Sequence, residues 1–460
     1  MTQTPSNRSP AGWLSLDELS TEVKAGEVDT VLVGMTDMQG RLQGKRIDAR
    51  FFLDEVVPNA AEGCNYLLAV DVDMNTVDGY ALTSWDLGYG DFVLRPDLST
   101  LRRVPWHENT AFCVADVLTT DGEEVAPSPR QVLRRQLKRL RQLGFSAYVG
   151  TELEFIVFKD SYEDAWNAGY RNLTPANLYN VDYSLLGTGR IEPLLRRIRL
   201  EMSGAGMLVE SAKGECNYGQ HEIAFRYLEA LAKADEHSLF KTGAKEIAAQ
   251  EGHSLTFMAK FNEREGNSCH IHFSLRGEDQ RPCFSGPDGH GHSEVFDHAL
   301  AGMLATLRET ALLYAPNINS YKRFVKGSFA PTAIAWGHDN RTCAFRVVGH
   351  GDSLRVECRV PGGDVNPYLA ISALVAGAIH GLEEKLALEK EFSGNAYESD
   401  KPRVPHTMHD AAALFENSSF ARAAFGDEVV DHYTNFARVE LAAFDAAVTD
   451  WERFRGFERL

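Results

Sequence analysis

Three short segments of this chain alternate polar and apolar residues in a way that few folds accommodate. They are Thr151-Glu152-Leu153-Glu154-Phe155, Ser268-Cys269-His270-Ile271-His272-Phe273-Ser274-Leu275 and Arg355-Val356-Glu357-Cys358-Arg359-Val360. In an extended strand, residues i and i+2 share a face. Glu152 and Glu154 therefore point one way, while Leu153 and Phe155 point to a core. Ser268, His270, His272 and Ser274 form a second polar face, and Arg355, Glu357 and Arg359 a third. A half-exposed antiparallel strand alternates in the same manner. Three such strands carrying carboxylates, imidazoles and guanidiniums, rather than Lys and Thr, favour a shared functional face. Two carboxylates at i and i+2 repel each other unless a cation sits between them. Oxygen-rich donors with one imidazole suit Mg²⁺ or Mn²⁺ better than zinc.

A fourth segment, Lys213-Gly214-Glu215-Cys216-Asn217-Tyr218-Gly219-Gln220-His221-Glu222, brackets a glycine-containing turn with Glu215 and Glu222. Taken alone it reads as two surface glutamates on a hairpin. Arginines are the other half of the pattern. Arg323, Arg341, Arg346, Arg355 and Arg359 cluster in one stretch, and arginine suits planar recognition of carboxylate or phosphate. Carboxylates for metal and arginines for anions together suggest a nucleotide-dependent ligase or phosphotransferase. The chain has no G-x-x-x-x-G-K-[ST] and no strand-linked G-x-G-x-x-G, so neither a P-loop nor a dinucleotide fold is supported.

Composition narrows the class. The chain has 460 residues, a formal net charge of −18 and 44% hydrophobic residues. That is an ordinary globular balance, and its acidity argues against a nucleic-acid-coating protein. No run approaches a membrane span, and the polar, proline-broken N-terminus lacks a signal peptide's apolar stretch. Seven scattered cysteines without a C-x-x-C pair disfavour disulfides. A cytoplasmic location is expected.

Local signals predict a helix from Leu14 to Gly26 capped by Ser15. A strand follows over Asp29–Asp37, then a turn at Met38-Gln39-Gly40 and a partner strand over Arg41–Ile47. Pro129 starts a helix that Gly144 ends, and Leu369–Ile379 reads as a buried helix. The turn-rich stretch Asp78–Gly90 suggests a functional loop. Asp431–Leu460 reads as one or two long helices anchored by Trp451, Phe454 and Phe457. The expected organisation is a tail over 1–12, a domain over 13–121 and a larger one over 122–460.

The motifs G-T-E-L-E-F, G-Q-H-E-I, H-I-H-F-S-L, N-S-Y-K-R, N-R-T-C-A-F-R and R-V-E-C-R, in that order, resemble the type I branch of the glutamine synthetase superfamily. The resemblance runs from about Asp29 to Leu460. It implies an α+β chain: an N-terminal β-grasp domain and a catalytic domain built on a curved antiparallel sheet with helices. It also implies a homododecamer of two stacked rings with active sites shared between subunits. Glu154, Glu215 and Glu222 would hold one Mg²⁺ or Mn²⁺, and Glu152, His270 and Glu357 a second. Glutamate would meet Gly266, His270, Arg323 and Arg359. ATP would meet His272, Ser274, Arg341, Arg346 and Arg355. Asp78 would reach into the neighbouring subunit's site and help deprotonate the incoming amine, with Arg341 and Glu215 also in catalytic roles.

Two departures concern the nitrogen nucleophile. Glutamine synthetases carry a glutamate in the flap after N-S-Y-K-R; here Lys326-Gly327-Ser328-Phe329-Ala330-Pro331 puts Phe329 in its place. The serine expected three residues after Asp78 is replaced by Ala81. A phenyl ring does not attract ammonium as a carboxylate does, but it can wall an alkyl amine. The pattern is similar to the γ-glutamyl-amine ligases, most of all the glutamate–ethanolamine ligase group. The polyamine ligases are the alternative, then a true glutamine synthetase, then a non-catalytic relative. A dicationic polyamine would want a second acidic anchor, for which Asp182, Glu192 and Glu201 are candidates. Tyr183 and Trp85 are candidate pocket-lining residues. Tyr397 stands where some members are adenylylated, but in an altered context it reads as a surface loop residue.

Overall fold

The computed structural model describes residues 12–286 and 288–460. The expected tail lies outside them except for Gly12. Ser15 caps the first helix, Leu16–Ala25, through a reciprocal box with Glu18, and Gly26 closes it in the left-handed conformation (φ 77°). Strands β1 (Thr30–Thr36) and β2 (Leu42–Asp48) form the expected hairpin. Its turn is held by Asp37, whose Oδ1 accepts from the backbone of Gln39 (3.0 Å) and Arg41 (2.9 Å). With β3 (Ala61–Cys64), β4 (Asp91–Pro96), β5 (Arg102–Arg103) and β6 (Thr110–Leu118) they make a six-stranded sheet, ordered β2-β1-β6-β4-β3 with β5 on β6.

The second sheet has nine strands. They are β7 (Ser146–Phe158), β8 (Val209–Gly214), β9 (Gln220–Phe225), β10 (Leu228–Glu229), β11 (Ser254–Thr256), β12 (Cys269–Arg276), β13 (Ala333–His338), β14 (Cys343–Val348) and β15 (Arg355–Cys358). The order is β13-β14-β15-β12-β7-β9-β8, with β10 and β11 on β7. The sheet is not wholly antiparallel as expected: β13 and β14 run parallel, with a bulge between Ala333 and Trp336. β13 is the edge strand, and β14 lies between it and β15.

Helices pack on the apolar face. Pro129 is the first residue of Pro129–Gln142, where its missing N–H costs nothing. Pro367–Glu383 is buried almost throughout. It lies against Glu294–Thr306 so closely that a Cβ on Gly302 would meet the Gly377 carbonyl oxygen at 2.1 Å. Asn366 caps this helix and donates to the carbonyls of Asp37 and Met38 at 3.1 Å each, tying it to the β1–β2 turn. Most buried apolar side chains form one core running from Leu14 to Leu441, and Ala333, Ala335, Cys343 and Ala396 form a second, small cluster.

The C-terminal expectation needs correction. The helices are Asp427–Ala446 and the seven-residue Asp450–Gly456. Trp451, Phe454 and Phe457 are 67%, 82% and 94% exposed and anchor nothing among the described residues. The helix ends before Ala447–Thr449, and the short helix that follows buries no residue. All seven cysteines are free thiols. Among the described residues, no helix is long and apolar enough to cross a membrane.

Candidate active site

Register builds the site. Across β9, β7, β12, β15 and β14 the paired residues are Glu222 with Glu154, Glu152 with His270, His272 with Glu357, and Glu357 with Arg346. The parity of each strand puts all of them on the face away from the core helices. The turn between β8 and β9 brings Glu215 beside Glu154 and Glu222, so that one carboxylate oxygen from each lies within 4.8 Å of the others. Donor atoms of Glu152, His272 and Glu357 meet the same distance. These carboxylates line a cavity of about 270 Å³ together with Asp182, Tyr183, Lys213, Gly266, His270, Phe329, Arg341, Arg346 and Arg359.

The donor set fits divalent cations. Burial, and repulsion from Glu152, Glu154 and Glu357, push the Glu222 carboxyl up to about 8 despite nearby Lys213. The Lys213 ammonium contacts Glu215 and lies 3.9 Å from Glu222. His270 is buried with its Nε2 unpartnered. Its Nδ1 lies 3.5 Å from carboxylate oxygens of both Glu152 and Glu357. Burial would raise the Glu152 carboxyl, but hydrogen bonds from His270 and His272 hold it well below the usual range. Glu154 Oε2 accepts from the Ser268 backbone N–H at 2.7 Å and from Gln220 Nε2 at 3.0 Å.

The structure separates the sequence candidates. His272 is expected beside phosphates; its Nε2 lies 2.8 Å from Glu152 Oε1, while Arg355 Nε donates to its Nδ1 at 3.2 Å. That arrangement puts the ring proton on Nε2. His272 and Glu152 also line a second cavity of about 380 Å³, with Ser274 and Arg355. Arg346 donates to Glu357 at 2.9 Å, and Arg359 to the same carboxylate at 2.5 Å. Arg323, expected to hold glutamate, lines neither cavity. It is 1% exposed and gives its N–H groups to Ser268 Oγ (3.2 Å) and the Val360 carbonyl. Gly266 lies over its stem, where a Cβ would meet Arg323 Cγ at 2.8 Å.

Asp78 and Ala81 are exposed and line neither cavity of their own chain. The Asp78 carbonyl accepts from Asn435 at 3.0 Å, which holds the loop against the helix Asp427–Ala446. Trp85 is 73% exposed and also lines neither cavity, whereas Tyr183 lines the first. Of the acidic anchors, Glu192 is paired with Arg199 and Glu201 with Arg197, so only Asp182 faces the cavity. Tyr397 is not a free surface tyrosine, because its hydroxyl donates to the Ala330 carbonyl at 3.0 Å. Phe329 projects from the same segment with φ 58°, uncommon for a bulky residue, and its carbonyl accepts from Arg359 at 3.3 Å.

Sequence reasoning missed the far wall of the second cavity. There the Arg276 guanidinium sits 4.0 Å from the Tyr148 ring centre and donates to the Tyr227 hydroxyl at 3.2 Å. Tyr148 and Arg276 continue the polar-face parity of β7 and β12, which is the signal that could have found them.

This constellation is that of a carboxylate-activating ligase site. Residues 126–455 match the family model "Glutamine synthetase, catalytic domain". The chain belongs to the glutamine synthetase family. It is 67% identical over 447 residues to "Gamma-glutamylethanolamide synthetase GlnA4" of Streptomyces coelicolor, covering 97% of this chain and 96% of that protein. It is 38% identical over 440 residues to "Glutamate--isopropylamine ligase" of a Pseudomonas species, covering 94% and 96%. A solved GmaS/ADP complex superposes with a TM-score of 0.83 at 25% identity, over 96% of this chain and 99% of that one.

Proposed function

We propose that this chain is an ATP-dependent ligase that joins the γ-carboxylate of glutamate to a small primary amine, ethanolamine. The observation that carries the reading is Phe329, an aromatic side chain lining the same cavity as the six carboxylate and imidazole donors. An apolar wall suits an amine with a carbon chain and does not suit ammonium alone. The Streptomyces relative, named for γ-glutamylethanolamide, supports the same choice.

Two Mg²⁺ or Mn²⁺ ions would be held by Glu154, Glu215 and Glu222 and by Glu152, His270 and Glu357. When bound, they would supply Lewis-acid neutralisation of phosphate and carboxylate charge. The second cavity would take the nucleotide, between the Tyr148–Tyr227–Arg276 wall and Arg355. Arg341 and Arg346 would stabilise the transferring phosphoryl group, and Arg359 the substrate carboxylate. A glutamate γ-carboxylate oxygen attacks the γ-phosphorus, and ADP leaves. The amine nitrogen then attacks the acyl carbon of γ-glutamyl phosphate, and inorganic phosphate leaves. An alkylamine is protonated at neutral pH, with a pKa near ~10 like a lysine, so one proton must be removed before attack. Glu215, and Asp78 of a neighbouring copy, would accept it. We further propose a cytoplasmic homododecamer, with Asp78 and Ala81 facing the site of the adjacent copy.

Phosphate release from ATP, glutamate and Mg²⁺ tests the reading, with ammonium, ethanolamine, putrescine, spermidine or no amine in parallel. Turnover driven by ethanolamine upholds it. Turnover driven by ammonium alone makes the protein a glutamine synthetase.

A further inference from the structure

Lys213 is not accounted for by the reaction above. It lies directly opposite Glu222 in the β8–β9 ladder, and its side chain enters the cavity that Phe329 and Tyr183 wall. The ammonium is 5.0 Å from the centre of the Tyr183 ring. Among the described residues its one hydrogen-bond partner is Glu215. An ammonium has three N–H donors, so two remain available. A cation with two uncommitted donors therefore lies beside the Tyr183 ring, in the same cavity as Phe329.

We propose that Lys213 is the specificity-determining residue that reads the far end of the amine. This rests on the ligase reading above and names what that site selects. A hydroxyl oxygen at that end accepts a hydrogen bond from the Lys213 ammonium. A methyl group leaves the donors unpaired, and a second ammonium is repelled. Asp182, the one acidic candidate facing the cavity, has an oxygen within 4.8 Å of Glu215, the carboxylate that Lys213 contacts. The lysine charge therefore lies near that carboxylate and competes for it with a diamine's second ammonium. The aromatic walls alone would favour an apolar tail, so the lysine and the rings make opposite demands that a short amino alcohol satisfies together.

The test compares kcat/KM for ethanolamine, propylamine (a methyl in place of the hydroxyl) and putrescine in the wild type, Lys213→Met and Lys213→Arg. Ratios between amines cancel any effect of the substitution on metal, ATP or glutamate. The expected result is that Lys213→Met lowers the ethanolamine-to-propylamine and ethanolamine-to-putrescine ratios at least 10-fold, while Lys213→Arg largely keeps them. Unchanged ratios in Lys213→Met overturn the inference and leave the ligase reading standing. No turnover of the wild type with any organic amine overturns that reading itself. Should Lys213→Met be inactive, calorimetric binding of the three amines to the protein with Mg²⁺ and ADP reads the same ratios. Values equal to the wild type's then overturn the proposal.

Discussion

Glu154 and Glu222 stand directly opposite each other on neighbouring strands, and both are buried. Opposed like charges destabilise a ladder, and Lys213 supplies one positive charge near the pair. Mg²⁺ or Mn²⁺ should therefore raise the melting temperature. A ligand at ~100 times its Kd stabilises by about 2.7 kcal/mol. Glu222→Gln should remove most of that rise in a thermal melt with and without metal. A wild type indifferent to both ions would contradict the metal assignment.

Glu154→Ala should abolish phosphate release with every amine. It also strands the Ser268 N–H that the carboxylate now satisfies, while the Gln220 amide keeps Gly266 and Asn267 as acceptors. Each unpaired buried donor costs ~1–3 kcal/mol, so the variant should melt below the wild type. Near-normal turnover would remove Glu154 from the metal set.

Phe329→Glu should raise kcat/KM for ammonium and lower it for ethanolamine. The backbone of this segment is held by Arg359 and Tyr397 through carbonyl oxygens, so the substitution changes the wall without releasing the loop. An unmoved preference between the two nitrogen sources would show that the ring is not the selector.

Tyr227→Ala should raise the KM for ATP several-fold and leave that for glutamate unchanged, because its ring faces the second cavity only. Aromatic contacts of this kind are worth ~0.5–1.5 kcal/mol beyond buried area. Initial-rate kinetics with each substrate varied in turn make the comparison.

Gly302→Ala should destabilise the whole chain without touching the site. The added methyl would overlap the Gly377 carbonyl and the Gly381 backbone. Overpacking costs ~1–3 kcal/mol, visible in a denaturant titration as a lower midpoint with an unchanged slope.

The polar face was legible because parity along a strand needs no knowledge of the fold. Glu152, Glu154, His270, His272 and Glu357 declare themselves at spacings of two. The order of the strands was not legible, and it alone puts Arg346 against Glu357. Arg323 shows the reverse limit. A guanidinium that serves an anion and one that ties Ser268 to the Val360 carbonyl look alike in a sequence. Trp451, Phe454 and Phe457 read as anchors because apolar size suggests burial, but that rule runs one way.

The ladder from Glu222 to Arg346 has a consequence for what kinds of change the gene tolerates. A substitution at one donor removes one donor. A single-residue insertion or deletion within β12 would turn His270 and His272 toward the core and present Cys269, Ile271 and Phe273 to the cavity. The evolutionary record of this site is therefore expected to be one of exchanged side chains within strands of invariant length.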